Sequence, residues 1–309
     1  MDKRLKIGLA LLVCASILVA SGYLLVPRPS TLPPREEIVN EYIASTVQPL
    51  GEEPWENFTI NCTIPDFPEE VPLLKVVGCQ LTEEELLALA REDPFNLTGD
   101  LIYKQSPWGD HHIKDAFENS LVFPSDGGVK IYRVEYSPHG SSQLPSFSTV
   151  WELGDLLISK MAKLGLIPQD PSIEIVRDRA GVCETEVYDG QEYVRSLKAR
   201  YYVLFDGLVL GSISVEVGHG SLCKMIYGCR RIEKVGTIRL ELSPIEALER
   251  LASDPMGGRP DGFVVNEVLL GYYNLGLAYH QDYLPPAYIF KGVYEGHPLE
   301  IAALAINPS

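Results

Sequence analysis

An apolar run over residues 7–26, about 20 residues without a charge, follows the opening Met-Asp-Lys-Arg-Leu-Lys. A helix of that length rises roughly 30 Å, the thickness of a bilayer's hydrocarbon core. Lys3, Arg4 and Lys6 precede the run, and such positive flanks stay in the cytoplasm. The expected topology is a cytoplasmic tip at residues 1–6, one transmembrane anchor in the lipid bilayer at 7–26, and an extracytoplasmic remainder. A cleaved signal peptide ending at Ser21, with Val19 and Ser21 before the cut, is a rival reading. Against it, the run continues through Tyr23-Leu24-Leu25-Val26, long for a signal core of roughly 7 to 15 residues. A lipoprotein signal needs a small residue before its cysteine, whereas Cys14 follows Leu12-Val13. All three readings export the rest of the chain.

Export bears on the cysteines, because disulfides persist outside the cytoplasm. Five of the six, Cys62, Cys79, Cys183, Cys223 and Cys229, lie beyond the apolar run. Cys62 and Cys79 flank a Pro-rich stretch, and Cys223 and Cys229 are close enough in sequence to suggest a staple between neighbouring turns. These four are the disulfide candidates. Cys183 is left over, and a small buried apolar side chain accounts for it better than a reactive thiol. Three sequons, at Asn57, Asn61 and Asn96, make glycosylation candidates, while Asn307-Pro-Ser is excluded by its proline.

Charge narrows the partners. The chain has 26 Lys+Arg against 42 Asp+Glu, a net charge of −16. Residues 1–35 hold five of the bases and one of the acids, leaving 21 bases, 41 acids and a net −20 for the remainder. Such a surface repels phosphate backbones, so nucleic acid is not an expected partner.

Prolines at 27, 29, 33, 34, 49, 54, 65 and 68 mark residues 27–70 as a linker and stalk, with a short helix possible over 36–44. Two modules are expected beyond it, at 71–148 and 149–309. In the first, 71–77 reads as a strand, and Thr82 with Glu85 begins a helix running to Arg91 by a capping box. Strands follow at 101–105, 120–124 and 129–136, the last two joined by Ser125-Asp126-Gly127-Gly128. A helix over 149–164, ending at Gly165, opens the second module. The second module reads as strands at 172–180, 183–188, 193–205, 208–217 and 222–227. A helix follows from Ser243-Pro244-Ile245-Glu246 to Ala252, then strands at 262–273 and 287–294 and a tail at 299–306. Strands grouped around isolated helices, without regular βαβ alternation, predict an α+β fold of antiparallel sheets with a few packed helices.

Several segments carry a resemblance: Val-Glu-Val-Gly-His-Gly-Ser at 215–221, Cys-Arg-Arg-Ile-Glu-Lys-Val-Gly at 229–236, and Ser-Pro-Ile-Glu-Ala-Leu-Glu-Arg-Leu at 243–251. Val-Leu-Leu-Gly-Tyr-Tyr at 268–273 and Tyr-Leu-Pro-Pro-Ala-Tyr-Ile-Phe-Lys-Gly at 283–292 complete it. Together, residues 199–294 resemble the PepSY-like ectodomains of the YycH/YycI type, found on membrane-anchored regulators of bacterial sensor kinases. Residues 71–136 are similar to the strand-helix-hairpin module that often precedes them. The resemblance implies small sheets with helices on one face and a role through binding another membrane or surface protein. It carries no chemical signature. The tyrosines at 272, 273, 279, 283 and 288 read as half-buried strand aromatics with their hydroxyls at the rim.

No motif for catalysis, a cofactor or a metal stands out. Asp110-His111-His112 with Asp115 is the densest polar cluster; adjacent histidines on a loop point apart, so a surface loop is favoured over a weak metal site. His139, His219, His280 and His297 sit in turn-like sequence, and Gly218-His219-Gly220-Ser221 fits a hairpin turn better than a nucleophile loop. The sequence points to a non-catalytic, membrane-anchored binding or regulatory ectodomain. The alternative is a structural subunit of a cell-surface or membrane complex, and a hydrolase using His111, His112, His219 or Ser221 is a further reading.

Overall fold

The computed structural model describes residues 32–39, 58–78, 80–125, 129–135, 146–168, 170–178, 182–188, 191–218, 222–252, 262–275 and 280–307. The anchor expected at 7–26 and the Asn57 sequon lie outside these residues, and no helix among the described residues is long and apolar enough to cross a membrane. The chain divides into Met1–Pro33 and Pro34–Ser309. Only Leu32 and Pro33 of the first are described, and the fold below is that of the second.

Four helices are described: α1 (Arg35–Ile38), α2 (Glu83–Arg91), α3 (Phe147–Lys163) and α4 (Pro244–Ala252). The strands are β1 (Thr59–Ile60), β2 (Glu70–Val76), β3 (Ile102–Gln105), β4 (His111–Lys114), β5 (Ser120–Phe123), β6 (Val129–Glu135), β7 (Ile173–Arg177) and β8 (Val182–Tyr188). They continue as β9 (Gln191–Phe205), β10 (Leu208–Gly218), β11 (Leu222–Tyr227), β12 (Ile232–Arg239), β13 (Val264–Tyr272), β14 (Tyr283–Leu284), β15 (Pro286–Tyr294) and β16 (His297–Leu304). The class is mixed α and β with mostly antiparallel sheets and few helices. A 13-stranded sheet runs β16-β15-β13-β10-β11-β6-β5-β4-β3, with β9 paired to β10 and also to β7 and β8, and β1 paired to β13. A second sheet of three strands runs β12-β2-β14.

Local chemistry explains the helices. Thr82 Oγ1 accepts from Glu85 N at 3.3 Å and Glu85 Oε2 accepts from Thr82 N at 2.8 Å, closing the expected capping box on α2. Ser243 and Glu246 do the same for α4. In α3 the buried Val150, Leu157 and Met161 recur at helical spacing and face the sheet. Gly154 sits mid-helix because a Cβ there would come within 2.3 Å of the Tyr201 hydroxyl. That hydroxyl donates to the Trp151 carbonyl at 3.0 Å, so α3 lies tight on β9.

Two apolar cores result. One gathers Leu86 and Ala90 of α2, Val150, Leu157 and Met161 of α3, and strand residues such as Ile113, Leu121, Val203 and Ile213. The other gathers Ile38 and Val39 at the end of α1, Ala247, Leu248 and Leu251 of α4, and Val265, Phe290 and Leu304. β2 serves both: Val71 and Leu73 enter the second core while Leu74 enters the first. A strand buried on both faces reads as a nearly continuous apolar run, which is what Val-Pro-Leu-Leu provides. Pro72 is accommodated because β14 covers only Leu74 and Lys75.

Three expectations differ from this arrangement. The division at 148/149 does not separate the sheets, since β6 pairs with β11 and β2 pairs with β12. Part of the Pro-rich 27–70 stretch belongs to the folded body: Ile38 and Val39 are each 3% exposed, and β1 pairs in parallel with β13. The tyrosine hydroxyls at 272 and 288 turn inward rather than to the rim, donating at 2.9 Å to the carbonyls of Pro72 and Leu242.

Candidate functional site

β13, β10, β9 and β7 succeed one another in the large sheet, with β15 and β16 on the far side of β13. Four strand steps separate β9 from β16, about 19 Å in a flat sheet. Yet Tyr202 of β9 donates its hydroxyl to Glu300 Oε2 of β16 at 2.6 Å. The sheet therefore curls, and its concave face, opposite α3, closes on a small apolar cluster of Tyr202, Val209 and Ile289 with Val176, Leu204, Leu269 and Ala302 against it. Beside this cluster lies a groove of about 520 Å³, lined by Val176, Arg177, Asp178, Tyr202, Leu204, residues 207–209, residues 267–270 and Lys291, and by Pro65 and Phe67.

The polar groups in and beside the groove hold one another in place. Arg200 Nη2 donates to Glu300 Oε1 at 2.5 Å, so Glu300 holds Arg200 and Tyr202 on its two oxygens. Burial opposes the charge on Arg200, but the neighbouring Glu300 carboxylate more than offsets it and holds the guanidinium's pKa above its ordinary value. Burial, aided by the bond to Glu300, pushes the Tyr202 phenol well above its usual range, so it stays a neutral donor. Lys291 Nζ lies 4.1 Å from the centre of the Tyr202 ring. It bridges Asp178 at 3.6 Å and Glu267 at 3.2 Å. Arg177 pairs with Asp155 and sits 5.5 Å over the Trp151 ring. An apolar floor under a few fixed polar groups is the usual make-up of a binding cleft.

None of these residues stands out in the sequence as a site, because strands far apart in the chain bring them together. A local signal did exist: Arg200, Lys291 and Glu300 each interrupt an apolar strand, in Ala-Arg-Tyr-Tyr-Val, Ile-Phe-Lys-Gly-Val and Leu-Glu-Ile-Ala.

The expected site residues lie elsewhere. His111 and His112 are in strand β4, not in a surface loop, so their side chains leave opposite faces. His111 Nδ1 meets the Tyr103 hydroxyl at 2.7 Å, and burial, the largest cause, lowers its pKa. Asp115 is buried as the turn-forming acceptor between β4 and β5, taking the amides of Phe117 at 2.9 Å and Asn119 at 3.0 Å. Among the described residues no group of three or more His, Cys, Asp or Glu could hold a metal ion. His219, Ser221 and His139 lie outside the described residues, and His280 pairs with Asp282 at 3.2 Å.

The cysteine expectation changes as well. Cys229 is a fully buried free thiol, and Cys62 a partly buried one. Cys223 pairs with Val217 of β10, whereas Cys229 packs against Gly211. Six residues of extended strand, about 20 Å, separate those two places, and a disulfide needs Cα atoms within about 7 Å. A Cys223–Cys229 staple is thus excluded by the strand between them. Cys79 lies outside the described residues. Asn61 and Asn96 are both exposed.

No protein-family model matches the chain, and no curated protein matches it. Among solved structures, the chain is similar to an uncharacterised protein from Eubacterium rectale, at 10% identity and a TM-score of 0.43, over 80% of this chain and 87% of that one. It is also similar to the C-terminal domain of YpeB from Bacillus megaterium, at 13% identity and a TM-score of 0.35, over 75% of this chain and 96% of that one. Fits this loose carry no argument about what the chain does, and the resemblance to YycH/YycI-type ectodomains rests on the sequence pattern alone.

Proposed function

We propose that this chain is a membrane-anchored, extracytoplasmic binding or regulatory ectodomain that acts on another membrane or surface protein without catalysis of its own. The observation that supports it most is the groove, whose apolar floor is ringed by charged side chains held in place by ion pairs. Such a surface favours a partner through shape and exclusion of water. The uncharged run at residues 7–26 and the sequence resemblance to PepSY-like ectodomains of the YycH/YycI type fit the same reading.

Tethering concentrates the ectodomain near partners in the same membrane. Crosslinking native membranes, then purifying the full-length protein, is expected to recover one membrane or surface protein in fixed ratio. A chain lacking residues 1–26 is expected to fold but lose most of its effect in cells. Full activity of that untethered chain would overturn the proposal. A structural subunit is the second reading, favoured by Trp108 and Phe117, which stand 81% and 73% exposed on the turns flanking β4 and offer contacts for fixed neighbours. It requires an abundance matching those neighbours.

A further inference from the structure

β15 pairs with β13 from Val264 to Tyr272, but the other edge of β13 is covered only at its ends. β1 pairs there with Val264 and Val265, and β10 with Gly271. Residues 266–270 have no strand on that edge among the described residues, and Glu267, Val268, Leu269 and Leu270 line the groove. The amides of Thr59 and Asn61 donate to the carbonyls of Phe263 and Val265, so the odd-numbered residues at this end face β1. The register shifts between Val265 and Glu267. Beyond the shift Tyr273 N donates to the Pro285 carbonyl, so the odd-numbered residues now face β15. Val268 consequently turns its backbone N–H and C=O into the gap. Pro65, which also lines the groove, has no N–H to offer it.

An uncovered strand edge is a template for another strand. We propose that the gap along residues 266–270 of β13 takes an extended segment of the partner protein by strand addition, a step that rests on the binding role proposed above. Five residues of gap correspond to about 17 Å of strand. The incoming side chain opposite Leu269 meets the apolar floor at Leu204 and Tyr202. The one opposite Glu267, two residues along on the same face, meets the groove mouth. There a single ammonium, Lys291, serves two carboxylates, Asp178 at 3.6 Å and Glu267 at 3.2 Å. Arg177 and Arg200 are taken by Asp155 and Glu300. The mouth thus carries a surplus negative charge, on a chain of net −16. The occupant is a strand with a large apolar residue and, two positions away, a lysine or arginine.

The test uses the full-length protein in detergent and the labelled peptide Ac-Val-Lys-Val-Leu-Val-NH2, read by fluorescence anisotropy. Its first control replaces Lys by Glu, and its second N-methylates alternate backbone amides. The basic peptide is expected to bind at least about tenfold tighter than the acidic one, the difference one matched charge at a partly desolvated rim supports. N-methylation is expected to abolish binding, and Glu267→Lys to reverse the charge preference without changing the melting temperature. Equal binding of the N-methylated peptide, or no binding of any peptide, overturns strand addition. Self-association of the full chain that the peptide reverses makes a second copy the occupant and overturns a foreign partner. Native crosslinking judges the binding role separately: a recovered partner with no peptide binding leaves that role standing and removes this site.

Discussion

Changing Tyr202 to Phe deletes one hydroxyl from the concave face and leaves the ring beneath Lys291. The lost bond, 2.6 Å to Glu300 Oε2, joins β9 to β16. Hydrogen bonds to a charged partner contribute about 1.5–3 kcal/mol, and Tyr202 is only 5% exposed, so water is a poor substitute. Glu300 keeps Arg200 at 2.5 Å, and the carboxylate is not stranded. The expected loss is therefore at the lower end, about 1.5–2 kcal/mol. Glu300→Gln retains the shape but weakens both of its bonds, at a cost of about 2–3 kcal/mol. Because both changes act on the same bond, the double variant is expected to fall short of the sum by about 1 kcal/mol. Urea unfolding of the full-length protein, followed by tryptophan fluorescence, measures all three, and each kcal/mol also moves the melting temperature by about 2–4 °C. Additive losses, equal to the sum within about 0.3 kcal/mol, would mean the two side chains do not meet and the sheet does not curl as described.

Other expectations concern separate parts of the body. Gly271→Ala would set a Cβ 2.3 Å from the Val209 carbonyl oxygen, and a loss of about 2–3 kcal/mol in urea unfolding is expected; a neutral result refutes the close β10–β13 contact. The Arg35 guanidinium holds the Glu241 carboxyl down at about 2, against an ordinary 4.5. A lowered pKa adds stability above 4.5 that is lost as pH falls towards 2, so wild type should lose about 1 kcal/mol more than Arg35→Ala between pH 5 and 2.5, allowing for partial exposure. Parallel stability curves would refute it. Burial pushes the Cys229 thiol well above its ordinary range, so alkylation at pH 8 with mass readout should leave it unmodified until the chain unfolds; prompt labelling of the folded protein counts against the buried position.

The parts of the fold legible in the sequence are those fixed by neighbours along the chain. Thr82 and Glu85 announce a helix start, and Asp206-Gly207, both with positive φ, announce the turn between β9 and β10. Other features depended on distant partners. β4 is four residues, His-His-Ile-Lys, too short for a two-residue period to show against its polar content. Cys223 and Cys229 looked adjacent because sequence spacing alone does not reveal an extended strand between them. The groove was hidden for a related reason: Tyr202 and Glu300 are 98 positions apart, and only the curl of the sheet sets them together. Ile38 and Val39 read as linker because their prolines are local, while the core that buries them is built from residues up to Ile306.

Arg35 Nη1 reaches the Asn307 carbonyl at 2.5 Å across 272 positions of sequence, and that span sets a timetable. A ribosome adding 5–20 residues per second needs on the order of 15–50 s to travel it. Ile38 and Val39 leave the ribosome well before Leu304, Ala305 and Ile306, which share their core. During that interval Ile38 and Val39 wait without a place to bury, and their core cannot assemble before β16 is made. A chain interrupted before β16 would not be slightly shorter in effect. It would expose its earliest-made core residues, and quality control would read it as unfinished.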